Sequence, residues 1–156
     1  MAETKEPKII KRQGTFSIAC RVELNIRATT DRVWKILTDA EGFPRWNSTV
    51  SAVEGKISEG ETLRVRAPGT KQTFKPTISD VTINRRMVWS GGLPLVFRGV
   101  RNFELHRRFD HSTDFVMEER FFGLLLPVIK SKLPDFAPIF TTYANDLRRE
   151  AEKTAT

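Results

Sequence analysis

Two residues of opposite charge, Arg101 and Glu119, fall on otherwise apolar strand faces, and any chemistry in this chain starts with them. Phe97, Gly99, Arg101, Phe103, Leu105, Arg107 and Phe109 share one parity of an alternating stretch, and Thr113, Phe115, Met117, Glu119 and Phe121 share one parity of the next. A short turn at Asp110, His111 and Ser112 makes the two stretches a hairpin with both sets facing inward. With Phe109 opposite Thr113, Glu119 is expected opposite Phe103 and diagonal to Arg101, within reach of a long side chain. An unpaired charge on a dry face is costly, so each needs the other. Two roles stay open for the pair: an ion pair that serves the fold alone, or the polar end of a pocket that orients a ligand's carbonyl, hydroxyl or carboxylate.

Tyr143 is the third polar candidate, because its hydroxyl is the one polar tip on the apolar stripe of the C-terminal run and wants a partner. The catalysis open to these residues is proton transfer, with Glu119 as general acid or base or Tyr143 as donor. Other chemistries lack their parts. There is no G-x-S-x-G, no phosphate-binding loop and no dinucleotide fingerprint. His106 takes the polar parity of its strand and His111 lies in the turn, while the single cysteine, Cys20, sits on a dry face, so neither a metal site nor a cofactor is expected. The candidates for lining a pocket are Trp46, Phe74, Trp89, Phe103, Phe115, Met117, Phe121, Phe140 and Tyr143 around Arg101 and Glu119. Each could equally serve as ordinary core packing.

The element that must position these residues is the run 135–152. Phe136, Ile139, Phe140, Tyr143, Ala144, Leu147 and Ala151 recur at three- and four-residue steps, with Asp135 placed to cap the start and Pro138 in the first turn. Upstream, Phe16, Ile18, Cys20, Val22, Leu24 and Ile26 alternate with polar residues as a long strand. A short helix capped by Thr29 or Thr30 and a helical turn over 40–46 follow it. Strands are expected over 49–54, 61–67, 72–83, 87–91, 97–109 and 113–122, with a bulge near Ser79 and Asp80 where the apolar parity changes. About seven one-sided antiparallel strands need a cover, and the terminal helix is the only large one available. A sheet curled round one helix leaves volume between them, open as a pocket or filled by the eleven Phe and three Trp.

Composition sets the bounds. The 156 residues, 39% apolar and 29% charged, suit one soluble domain over 15–156 behind a flexible tail over 1–14. With one cysteine and no apolar run of membrane-spanning length, a cytoplasmic location is expected. The net charge of +7 comes from scattered pairs such as Arg85-Arg86 and Arg107-Arg108. It raises nucleic acid, an anionic membrane surface or acidic small molecules as partners, but scattered pairs suit solubility first, with transient membrane-surface contact open; specific nucleic-acid binding, which would depend steeply on salt and use exposed aromatics between the cations, is not expected.

The residues 26–48, IRATTDRVWKILTDAEGFPRWNS, resemble the opening signature of the SRPBCC superfamily, the START-like polyketide cyclase/dehydrase and lipid-transport proteins. MVWSG at 87–91, GVRNFEL at 99–105, TDFVMEERFFG at 113–123 and FTTYANDLRREAE at 140–152 agree in order and spacing. The resemblance implies an α+β helix-grip fold, a curved seven-stranded antiparallel sheet wrapped round the long C-terminal helix, with two short helices after the first strand and a hydrophobic cavity between sheet and helix. Members of that superfamily include ligand carriers, aromatase/cyclases and activators of a heat-shock-protein ATPase, so fold leaves activity open. The leading expectation is binding of a hydrophobic small molecule or lipid, with its transport open as a further role. The alternatives are a cyclase or aromatase acting by acid/base catalysis in the same cavity, and an interaction domain that stimulates a chaperone ATPase. The oligomeric state is left open.

Overall fold

Alternation becomes strand and the terminal stripe becomes helix. In the computed structural model, which describes residues 5–153, the chain runs β1 (Lys8–Gln13), β2 (Ser17–Ile26), α1 (Thr30–Leu37), α2 (Phe43–Trp46), β3 (Ala52–Glu54), β4 (Arg64–Arg66), β5 (Thr73–Phe74) and β6 (Thr77–Thr82). It continues through β7 (Arg86–Leu93), β8 (Phe97–Arg107), β9 (Thr113–Phe122), α3 (Leu126–Ile129), a 3-10 turn (Lys130–Lys132) and α4 (Phe136–Ala151). Six strands form one antiparallel sheet in the order β1-β2-β9-β8-β7-β6, and β3-β4-β5 form a second. A bridge between Thr62 and Thr77, with Leu63 donating to the Pro76 carbonyl and Ile78 to that of Glu61, carries the second group on from the first. This is the helix-grip arrangement.

Two expectations about strands need correction. The segment 1–14 is not all tail: residues 8–13 pair along their whole length with β2, while residues 1–4 lie outside the described residues. Only Ile9 and Ile10 are apolar there, so alternation could not reveal it, and its lysines and arginine suit an outer edge strand. Nor are there seven strands; the described residues form nine. The second extra strand arises because the stretch 72–83 breaks before Pro76, which has no N–H to give to a ladder. The bulge expected at Ser79 and Asp80 is present: the β6–β7 register shifts between Ser79 and Thr82, and Asp80 takes φ 52°.

α4 has the cap the sequence supplies, with the Asp135 carboxylate accepting from the Ala137 N–H at 3.1 Å. Its apolar stripe is fully buried at Phe140, Tyr143, Ala144, Leu147 and Ala151. Asp146, which the helical spacing assigns to the wet side, is 6% exposed: its Oδ2 accepts from the Ser48 N–H at 2.8 Å and hydroxyl at 2.7 Å, tying α4 to the loop after α2. Farther on, Arg32 donates to the Ala151 and Lys153 carbonyls, Arg45 pairs with Glu150, and the Glu152 carboxylate accepts from the Arg27 N–H at 2.9 Å. The C-terminal half of the helix is clamped on several sides.

Candidate functional site

Directly opposed residues of an antiparallel sheet point to one face, so the inner face can be followed in rows from one end to the other. Inside the Phe97 and Leu93 pair at the strand ends, the first row to span four strands is Ile18, Phe121, Gly99 and Gly91. The next is Cys20, Glu119, Arg101 and Trp89, the third Val22, Met117, Phe103 and Met87, and the fourth Leu24, Phe115 and Leu105. Phe121 is half-buried, whereas Met117, Phe115 and Phe103 are at most 1% exposed. The charged row therefore lies one step inside a partly wet rim and directly above a dry floor.

Arg101 and Glu119 stand opposite each other, joined by a hydrogen bond from Nε to Oε2, with side chains 22% and 14% exposed. The pairing was expected, but its register is corrected by two residues: Arg107, not Phe109, faces Thr113, and Glu119 faces Arg101 rather than Phe103. The cause is a longer turn. Ser112 offers its carbonyl to the Arg108 N–H, His111 takes φ 65°, and Phe109 is left in solvent. The guanidinium also lies over two rings of α4, 5.3 Å from the Phe140 centroid and 5.9 Å from that of Tyr143.

Rings fill the space around this pair. Trp89 meets Phe103 at 5.2 Å, Phe103 meets Tyr143 at 6.3 Å, and Trp46 from α2 packs edge-on against Tyr143 at 5.8 Å. Toward the rim, Phe97 stacks on Phe121 at 5.6 Å, Phe121 on Phe136 at 5.1 Å, and Phe136 tilts against Phe140 at 5.9 Å. Gly99 makes the ladder possible, since a Cβ there would come within 3.0 Å of the Phe121 ring. The sequence reading missed Phe43, which packs on Trp46 at 4.9 Å, and it left Phe97 and Phe136 out of the lining. Phe97 shares its parity with Arg101, and that signal was there to be used. Phe74 is a correction in the other direction: it is 55% exposed on the short β5, away from the ring cluster.

Three buried polar atoms have no hydrogen-bond partner among the described residues: Trp46 Nε1, Asn47 Nδ2 and the Tyr143 hydroxyl. Each costs about 1–3 kcal/mol if nothing satisfies it. Asn47 uses only its Oδ1, which accepts from the Thr49 N–H and hydroxyl. Burial raises the Tyr143 pKa well above the ordinary phenol value; nearby Arg101 opposes this and Glu119 adds to it. Tyr143 is thereby a poor acid and a good neutral hydrogen-bond donor. Burial likewise raises the Cys20 thiol against the opposing pull of Lys11, which disfavours the nucleophilic thiolate. Both histidines are exposed, as their positions suggested. Among the described residues no group of three or more His, Cys, Asp or Glu converges to hold a metal, and no helix is long and apolar enough to cross a membrane.

Among solved structures the fold is close to the di-domain aromatase/cyclase BexL from the BE-7585A biosynthetic pathway, with TM-score 0.72 and 13% identity over 92% of this chain and 52% of that one. Norcoclaurine synthase from Thalictrum flavum superposes with TM-score 0.67 and 15% identity, covering 94% of this chain and 100% of that one. A START superfamily protein from Mycobacterium smegmatis gives TM-score 0.62 and 14% identity, covering 86% of this chain and 97% of that one. At such identities the likeness is one of fold. No curated protein matches the chain by sequence. The family model described as polyketide cyclase / dehydrase and lipid transport matches residues 17–151, from the first residue of β2 to the last of α4, and the chain belongs to that family.

Proposed function

We propose that the space between α4 and the inner face of the six-stranded sheet takes up a hydrophobic small molecule or lipid with one polar end, which Arg101, Glu119 and Tyr143 orient. The observation that carries this reading is the placing of a charged pair and an unpartnered phenol hydroxyl together among rings, one row inside the rim. A fold needs none of these groups there, and a well-packed apolar row would cost less than a buried pair and an orphaned hydroxyl. Release of apolar ligand surface from water, about 25 cal/mol per Å², supplies the driving force, and the polar row sets direction. Because rings meet across the interior, a ligand enters by parting Phe121, Phe136 and Phe140 rather than by filling a ready-made void. The binding role ranks above acid/base catalysis because the Glu119 carboxylate is already engaged by Arg101, and Tyr143, buried and with its pKa raised, is better placed to donate a hydrogen bond than to give up a proton.

The test is titration with anilinonaphthalene sulfonate, an aromatic probe with one anionic end. Arg101→Leu with Glu119→Leu removes both charges together and leaves neither buried alone. The expected result is affinity weakened about tenfold or more, in line with one charge-assisted hydrogen bond, in a variant that still melts cooperatively. Tyr143→Phe should weaken it by a smaller factor. Unchanged affinity in a stably folded double variant overturns the proposal.

A further inference from the structure

The rim beside the ring ladder is unusual in what it leaves uncovered. Three loops meet there. Leu93, Leu95 and Val96, of the β7–β8 turn, are 66%, 80% and 43% exposed. Leu124, Leu125 and Val128, after β9, are 70%, 41% and 71% exposed. Backbone bonds hold these tips as one surface: the Leu124 N–H donates to the Leu95 carbonyl at 2.8 Å and the Leu125 N–H to that of Val96 at 3.0 Å. Gly123 permits the approach. It sits at φ 141°, and a Cβ there would lie 2.3 Å from the Val96 carbonyl oxygen. The β1–β2 turn joins through the Gly123 N–H, which donates to the Phe16 carbonyl at 3.1 Å, and Phe16 is itself half exposed.

The charge around this apolar surface is predominantly positive. The segments 11–17, 91–103 and 120–134 contain no Asp or Glu, but they carry Lys11, Arg12, Arg98, Arg120, Lys130 and Lys132 in addition to Arg101. The acids that border this end, Glu119 and Asp135, are already paired, with Arg101 and Lys11. Lys130 reaches back to the Gly14 carbonyl at 3.3 Å, which sets its ammonium beside the β1–β2 turn. Contiguous exposed apolar tips mark an interaction site. With those two acids matched by Arg101 and Lys11, the remaining Arg12, Arg98, Arg120, Lys130 and Lys132 are an excess of positive charge that selects a partner with an apolar interior and an anionic face.

We propose that this rim docks on an anionic lipid bilayer, with the leucine and valine tips entering the headgroup boundary and the lysines and arginines resting on lipid phosphates. Apolar insertion and basic attraction reinforce each other at such a surface. The inference stands on the rim alone and does not need the interior to bind a ligand. The two fit together, however, because the rim surrounds the Phe97, Phe121 and Phe136 ladder through which a lipid tail would pass.

Vesicle flotation tests it. The protein should float with vesicles of phosphatidylcholine and phosphatidylglycerol, stay behind with pure phosphatidylcholine, and lose binding as salt rises. Leu95→Glu with Val128→Glu, both at highly exposed positions, should weaken binding at least about tenfold and leave the melting temperature unchanged. Arg12→Glu with Lys132→Glu should weaken it at least about thirtyfold. Ile83→Glu is the control: Ile83 is 72% exposed but lies at the opposite end of β7, and its substitution should change nothing. Sedimentation of the wild type in solution should give a monomer. Absence of flotation, retention of it by the leucine and valine variant, or a dimer abolished by that variant would each overturn the proposal, the last by identifying a second copy as the occupant. Because the interior is untouched by these changes, their outcome is separate from that of the Arg101 and Glu119 titration.

Discussion

The two halves of α4 are built on different terms. From Ala144 to Ala151 the buried stripe is at most 2% exposed, and the flanking polar groups are tied to three other segments: Asp146 to Ser48, Glu150 to Arg45, and the helix end to Arg32 and Arg27. From Phe136 to Ile139 the helix rests on half-buried rings, Ile139 is 37% exposed, and the described tie outward is the exposed ion pair between Asp135 and Lys11. A pair in water contributes little, whereas a buried carboxylate accepting two hydrogen bonds is expensive to lose. The contrast makes α4 a lever fixed at its C-terminal end, with its free end lying over the polar row and the rim. Local opening begins where burial is thinnest, and here that is the end along which the proposed entry path runs.

Equal chemistry at the two ends gives the largest test. Leu147→Ala removes a fully buried side chain and should cost about 3 kcal/mol of unfolding free energy, whereas Ile139→Ala, at a position 37% exposed, should cost under about 1 kcal/mol. Urea unfolding of both variants checks it. Similar losses would mean that the free end is as tightly packed as the fixed one, and the lever would be wrong. Next in size is Asp146→Ala, which leaves the Ser48 N–H and hydroxyl without their acceptor and should cost about 2 kcal/mol. Amide exchange sharpens this second comparison: protection should fall along the C-terminal half of α4 and the loop after α2, and hardly at all at Phe136.

How much of this was legible in the sequence depends on what each residue answers to. The helix, its cap at Asp135 and the inward parity of Arg101 and Glu119 follow from local periodicity, which one strand or one helix settles by itself. The register of β8 on β9 does not, because it turns on how many residues the turn consumes, and the αL conformation of His111 was invisible among Asp110 and Ser112. Phe74 reads as an inward residue only while 72–83 is taken as one strand; the break before Pro76 leaves it in solvent. Asp146 defeats periodicity for another reason. Its buried carboxylate is satisfied by Ser48, a residue distant in sequence, and no pattern within α4 announces that partner. The three orphaned polar atoms share this property, since being unpartnered is a fact about neighbours from several elements.

Acid gives the smallest and most selective test of the fixed end. Burial works against the ionised form of Glu150, but hydrogen bonds from Lys153 and Arg45, and their charges, outweigh it and hold the carboxyl below its ordinary pKa. A pKa depressed in the folded state means that the unfolded state binds the proton more readily. Its contribution to stability is therefore fully present above the unfolded pKa and is lost as pH falls through the folded one. Glu150→Gln should then lower stability near neutral pH and flatten the acid limb of a plot of unfolding free energy against pH. Asp135 is also depressed, by Lys11 first and by the Ala137 N–H second, but it is open to water, so Asp135→Asn should flatten the curve less and its effect should fade first as salt is added. Curves of equal slope change for the two variants, equally sensitive to salt, would show that the two ends are tied alike. A larger, salt-resistant change for Glu150 is what a helix anchored at its C-terminal end requires.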